Sequence, residues 1–287
     1  MNYTVQPGDT MFLIAQKHGI DLDALIAANP QLENPDLVYP GQVINIPGAS
    51  GVPGVSGGSG PAGLTIYAAA SLKDALEELK NIYTSRHPDV KITYNFGASG
   101  VLQRRIEQGA PADLFLSAGK AEMDVLAQKG LLQEASRQDL LRNELVLIAG
   151  KNSSLAGFEG LASPAVSRIG MGAPGTAPAG RYAQETLTSL NLWGRVQPKI
   201  VLANDVRQVL ANVESGHVDA GLVYRSDALV GKNIKIVAAA PAGSHSPIIY
   251  PMAVIKSTRH PLEARLFAAF LSSGQAAQVF AKYGFTL

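Results

Sequence analysis

Beyond residue 63 the chain alternates between short apolar runs and longer segments in which apolar residues recur every three or four positions. Residues 64–69 (LTIYAA) precede an amphipathic stretch at 72–86, residues 91–96 (KITYNF) precede 101–108, and residues 113–118 (DLFLSA) precede 122–129. Short unbroken apolar runs read as buried strands and the 3.6-residue period reads as helix. Their regular alternation predicts an α/β fold with parallel strands. The pattern continues with apolar runs at 144–150, 167–173, 199–203, 220–224, 235–239 and 248–255. Helical stretches are predicted at 181–190 and 206–215, and a last one spans 260–283.

Before residue 48 the pattern is different. A short strand at 2–5 leads to a helix opened by Asp9 or Thr10 and running to about His18, then a second helix near 22–28 and a closing strand at 42–46. This is a βααβ unit of fewer than 50 residues. Between the two patterns lies GASGVPGVSGGSGPAG, residues 48–63, with no charge and no aromatic ring. A Gly-rich coil of that length spans roughly 20–25 Å root-mean-square, so it predicts a flexible linker. Charge changes across it. The first 47 residues carry one lysine against five carboxylates, a net −4, which leaves +5 for the remainder of a chain whose net charge is +1.

Composition narrows the function. With 46% hydrophobic and 16% charged residues the chain is an ordinary globular protein. A net charge near zero gives no field suited to nucleic acid or an anionic membrane. The absence of cysteine removes disulfides, thiolate metal sites and thiol nucleophiles, and is compatible with export. No run reaches the ~20 apolar residues of a membrane span, and no signal peptide is visible, so an exported form would be mature or trimmed, or its true start would lie upstream.

Candidate chemistry sits where predicted strands stop and helices start, the place where open α/β sheets bind ligands. Ser71 and Ser99 are read as N-caps of the helices that follow them. Ala179-Gly180 opens a third helix and Asn204-Asp205 a fourth. Helix N-termini present unpaired N–H groups and the positive end of the macrodipole, which suits an anion. A serine before a helix is, by itself, an ordinary cap.

Two resemblances extend this reading. YTVQPGDTMFLIAQKHGI, LIAANP and VYPGQVINIP, within residues 2–47, resemble a LysM module. The resemblance implies binding of N-acetylglucosamine glycans, peptidoglycan or chitin-type, in a groove between Gly8, Asp9, Thr10 and Met11 on one loop and Asn29, Pro30, Leu37, Val38 and Tyr39 on the other. AAASLKDAL, FGASGVLQRRIEQGAPADLFLSA, APAGRYAQETL, NDVRQVLANVESG, AGLVYRSDA, YPMAV and FAKYGFTL, within residues 64–287, are similar to the periplasmic molybdate-binding proteins of ABC transporters. That resemblance implies a two-lobed periplasmic-binding-protein fold of type II, with one lobe near 64–145 and 250–287 and the other near 146–249. The lobes would be joined by crossing strands near 143–148 and 250–254.

The family's ligand positions fall on Ser71, Ser99, Ala179, Val206 and Tyr224. Gly172-Ala173-Pro174 and Ala177 depart from the usual family residues beside the site. The implied ligand is molybdate or tungstate, held as an oxyanion by hydroxyls and backbone N–H groups without a cationic side chain. No cofactor, metal cation or nucleic acid is expected. The expected partner is an ABC permease, the protein acting as a monomer outside the cytoplasm, in the cell wall or periplasm.

Alternatives remain at this level. A sulfate-type anion would suit the same helix ends, and Arg181, Arg207 and Arg225 near the mouth either steer anions or serve the fold. A wall hydrolase tethered by the small module lacks a catalytic constellation. His18, His87, His217, His245 and His260 have no metal-ligand spacing, and the G-x-S-x-G string at 54–58 lies in the linker without its strand and helix. An intracellular or spore-coat role rests only on the missing signal peptide.

Overall fold

The computed structural model describes residues 2–6, 9–18, 20, 22–32, 38–47 and 62–287. Gly8, Leu37 and nearly all of the expected linker lie outside the described residues. The chain divides into two compact units, residues 1–59 and 60–287.

In the first unit, β1 (Asn2–Thr4), α1 (Met11–His18), α2 (Leu22–Ala27) and β2 (Val43–Asn45) follow the expected βααβ order. β1 and β2 pair antiparallel, with Tyr3 opposite Ile44. Val5, Met11, Ile14, Leu25, Ile44 and Ile46 form a small core. Asn29 is buried and joins the end of α2 to β2: its amide donates to the carbonyls of Leu25 and Asn45, both at 2.7 Å, and its oxygen accepts from the Asn45 N–H at 2.6 Å. A fully used polar side chain of this kind fixes a small core that apolar burial alone holds weakly.

The second unit opens with β3 (Ala62–Ala69), a short 3₁₀ turn Ala70–Leu72, and α3 (Lys73–Arg86). Then come β4 (Val90–Gly97), α4 (Ser99–Glu107), β5 (Leu114–Leu116), α5 (Lys120–Gln128), β6 (Gln138–Arg142) and β7 (Leu145–Gly150). The chain continues with β8 (Ile169–Gly172), α6 (Pro178–Ser189), α7 (Trp193–Val196), β9 (Ile200–Ala203), α8 (Val206–Glu214), β10 (Ala220–Tyr224) and α9 (Arg225–Val230). It ends with β11 (Ile234–Ala239), β12 (Ile249–Val254), α10 (Pro261–Leu271) and α11 (Gly274–Lys282).

Two five-stranded sheets result, ordered β4-β3-β5-β12-β6 and β11-β7-β10-β8-β9. The parallel strands expected are found in β3, β4 and β5 and in β8, β9 and β10. The expectation is corrected where β12 runs antiparallel to β5 and β6, and β7 runs antiparallel to β10 and β11. A strand buried on both faces is a continuous apolar run in either direction, so pattern does not reveal direction. The chain passes from the first sheet to the second between β6 and β7, at Asn143-Glu144, and returns between β11 and β12. The segments expected to cross are therefore mostly strands lying wholly within one sheet. The last helical stretch is two helices: the first ends at Leu271 with Ser272 as its C-cap, and Ser273 caps α11 by accepting from the Ala276 N–H.

Candidate functional site

Ser71 and Ser99 do not cap their helices. Ala69 precedes the 3₁₀ turn that contains Ser71, and Ala98 is the N-cap of α4, whose first residue is Ser99. This corrects the sequence reading by one or two positions, with a chemical consequence. A capping hydroxyl accepts from its own helix, whereas these two hydroxyls are free to act elsewhere. Ala179 is the second residue of α6, after Pro178, and Val206 is the first residue of α8. As first-turn residues, Ser99, Ala179 and Val206 have N–H groups with no acceptor in their own helix. Asp205 caps α8, its Oδ1 accepting from Arg207 N at 2.9 Å and Gln208 N at 3.0 Å.

These starts converge. Ser71, Ser99, Ala179, Val206 and Tyr224 line one cavity, together with Ala69, Ala70, Gly97, Ala98, Ala118, Ala177, Pro178 and Asp205. Its free volume is about 20 Å³, where roughly 10–15 Å³ admits one water. A small ion fits; a sugar or nucleotide does not. Small residues dominate the lining and let backbone approach the contents. Among the described residues, no lysine, arginine or histidine lines the cavity.

Each hydroxyl has a defined setting. Ser99 Oγ accepts from the Ala118 N–H at 2.9 Å, leaving its own proton for the cavity. Ser71 Oγ lies 2.9 Å from Tyr250 Oη. Tyr224 Oη makes a long contact, 3.5 Å, to the Ala118 carbonyl. Burial pushes the Tyr224 phenol well above its usual range, so it stays a neutral donor.

The two lobes meet around the cavity. Gly100 N donates to the Thr176 carbonyl at 2.9 Å. Arg181 of α6 forms a two-pronged pair with the buried Glu122 of α5, at 2.7 and 3.1 Å. Arg207 of α8 lies 2.5 Å from Asp74 of α3 and 2.6 Å from the fully buried Asp227 of α9. Arg225 pairs with Glu144 at 3.3 Å. All three arginines named at the sequence level thus engage carboxylates of the protein, which is a structural use.

The Arg207–Asp227 pair is close but poorly aligned, neither Asp227 oxygen having a well-directed hydrogen bond. Burial therefore wins over the pull of Arg207 and pushes the Asp227 carboxyl up from 3.8 to about 7. A raised folded-state value means stability that is present below about pH 4 and is lost as pH rises through about 7. Melting temperatures measured from about pH 4 to pH 8 should fall with rising pH more steeply in the wild type than in Asp227→Asn. Identical slopes would refute this.

In the first unit two residues of the expected glycan groove have little exposure. Met11 and Asn29 are buried, Asn29 with its amide fully occupied. Asp9, Thr10, Pro30, Val38 and Tyr39 remain at least partly accessible, Tyr39 most of all at 63%.

Residues 64–286 match the family described as bacterial extracellular solute-binding protein, and residues 3–47 match the LysM domain. The chain belongs to this solute-binding family. It is similar to a Bacillus subtilis protein, YvgL, whose role as an ABC transporter substrate-binding lipoprotein is provisional: 48% identity over 78% of this chain and 86% of that one. The molybdate-binding protein ModA of Haemophilus influenzae is 37% identical over 78% of this chain and 90% of its own. The periplasmic molybdate-binding protein of Azotobacter vinelandii superposes with a TM-score of 0.72 at 26% identity, covering 78% of this chain and 99% of that chain. As a LysM domain joined to a ModA-like solute-binding domain, the protein is a binding protein and not an enzyme.

Sequence reasoning passed over several residues that shape the site. Ala118 lies two residues past the end of β5, much as Ser71 and Ser99 lie two residues past the ends of β3 and β4, so strand-end position was an available signal. Asn143, Tyr250 and Asp227 gave none, since each acts through partners distant in the sequence.

Proposed function

We propose that the cavity binds molybdate or tungstate as the intact oxyanion and that the protein delivers it to the permease of an ABC importer. The observation that carries this reading is the convergence of Ser71, Ser99, Ala179, Val206 and Tyr224 on one ion-sized cavity without a cation. Hydroxyl and backbone donors without a cationic side chain, the one lining carboxylate, Asp205, being engaged in capping α8, suit an anion that has no proton to donate. Hydrogen phosphate would bring a donor against donors, at a cost of about 1–3 kcal/mol. Similarity to proteins named for molybdate binding supports the ligand class.

Binding at the cleft favours the arrangement in which the lobes meet, and that form would dock on the permease. The LysM domain would hold the protein near the cell wall by binding peptidoglycan or a chitin-type N-acetylglucosamine glycan. Its net charge of −4 would oppose attraction to an anionic polymer. Sugar hydrogen bonds and contact with exposed groups such as Tyr39 would then carry glycan affinity. The compartment would be the wall or the periplasm.

Calorimetric titration of the full chain at neutral pH tests the ligand. Molybdate and tungstate should each saturate one site with nanomolar to micromolar affinity. Sulfate and phosphate should bind far more weakly. No heat from the first two, or preference for sulfate, overturns the proposal.

A further inference from the structure

Behind Ser71 a chain of hydrogen bonds leads away from the cavity to the crossing between the lobes. Asn143 sits at that crossing. Its Oδ1 accepts from the Glu144 N–H at 2.9 Å, which settles the orientation of the amide: the NH₂ end faces the other way. That NH₂ donates to Ser226 Oγ at 2.9 Å and to Tyr250 Oη at 3.2 Å. Tyr250 Oη lies 2.9 Å from Ser71 Oγ. Neither Asn143 nor Tyr250 lines the cavity.

An amide NH₂ cannot accept. Asn143 donates to Tyr250, so the phenol oxygen is an acceptor there. Among the described residues Ser71 Oγ is the phenol's one other hydrogen-bond partner, which leaves it as the acceptor for the buried phenol's single proton. Ser71 Oγ in turn accepts, so its own proton is directed onward, into the cavity. We infer that Asn143 and Tyr250 are positioning residues that set the polarity of Ser71, making it a donor to the bound anion and thereby excluding protonated oxyanions. Burial keeps the Tyr250 phenol well above its usual range, so it retains the proton it passes forward.

The direction of this chain starts at one group that only donates. Replacing that group by one that only accepts reverses it. In Asn143→Asp the carboxylate takes the Tyr250 proton, Tyr250 Oη accepts from Ser71, and Ser71 turns a lone pair to the cavity. The site then offers an acceptor where it had a donor, which is what the hydroxyl of hydrogen phosphate needs.

This inference rests on the oxyanion reading, and the test separates the two. At about pH 8 sulfate and hydrogen phosphate are both dianions of similar size, so the added charge of Asn143→Asp acts on them alike and cancels in their ratio. Affinities for both are measured on the full chain by competition against bound molybdate, with melting temperatures recorded alongside. Asn143→Asp should shift the phosphate-to-sulfate preference toward phosphate by about tenfold or more. In a Tyr250→Phe background, where the chain is cut, the same substitution should leave the ratio unmoved.

A merely structural role for Asn143 would weaken both anions equally. An unchanged ratio in Asn143→Asp, or a shift that persists with Tyr250→Phe, overturns the inference. A wild type that binds none of these anions overturns the oxyanion reading itself.

Discussion

Replacing both cavity serines, Ser71→Ala with Ser99→Ala, is expected to weaken molybdate binding by at least about a hundredfold. Each hydroxyl supplies a hydrogen bond to a charged ligand, worth about 1.5–3 kcal/mol, and every 1.4 kcal/mol is tenfold in affinity. The lower bound assumes that the two losses overlap, since both groups hold one ion. The Ser99 substitution has a second effect, because Ser99 Oγ is the acceptor for the buried Ala118 N–H. Leaving that donor unpaired should lower the stability of the unliganded protein by about 1–3 kcal/mol. Ser71→Ala alone spares it. Calorimetry for affinity and thermal melts of the unliganded protein read the two effects separately. Wild-type affinity in the double variant would show that the anion lies elsewhere.

The second large effect is expected at Gly100, which does not line the cavity but meets the opposite lobe beside it. A Cβ built on Gly100 would stand 2.7 Å from the Thr176 carbonyl oxygen and 3.2 Å from its Cα, both backbone atoms of the opposite lobe. Backbone cannot swing aside as a side-chain tip can. Within its own helix the change is harmless, since alanine favours helix over glycine by ~1 kcal/mol. Gly100→Ala should therefore leave the unliganded melting temperature equal or slightly higher. It should weaken molybdate binding by about 5- to 150-fold, the equivalent of an overpacking cost of about 1–3 kcal/mol placed on the closed form alone. The opposite signs are the diagnostic. A lower unliganded melting temperature with unchanged affinity would place the strain inside one lobe and remove the argument for closure.

Much of this site was legible in the sequence, and the misreadings are informative. Four helix starts after apolar runs pointed to an anion, and the structure brings those starts together. The sequence placed Ser71 and Ser99 as caps because a serine ahead of a helical period usually is one; the structure gives that position to Ala69 and Ala98. A shift of one residue turns a hydroxyl from its own backbone toward a cavity, and pattern does not resolve boundaries that finely. For Asn29 the sequence showed a helix stop on a groove, whereas the fold folds its amide inward. Arg181, Arg207 and Arg225 left steering and structure open, and their carboxylate partners, each at least 59 residues away or on another helix, decided for structure.

The sequence by itself determined the division into a small acidic unit and a large α/β unit, most of the order of strands and helices, with β6, α7 and α9 passed over, and the residue types at the strand ends. These depend on unbroken apolar runs, on the 3.6-residue period and on local chemistry at helix starts, which are properties of neighbours in the chain. Only the tertiary structure decided that β7 and β12 run antiparallel, that Gly100 meets Thr176, and that Asn143 and Tyr250 stand behind Ser71. Ser71 and Tyr250 are 179 positions apart. Their contact is set by the packing of one sheet and the crossing between two lobes, and no local period encodes it. That is why the donors of the cavity could be read from sequence, while the groups that give those donors their direction could not.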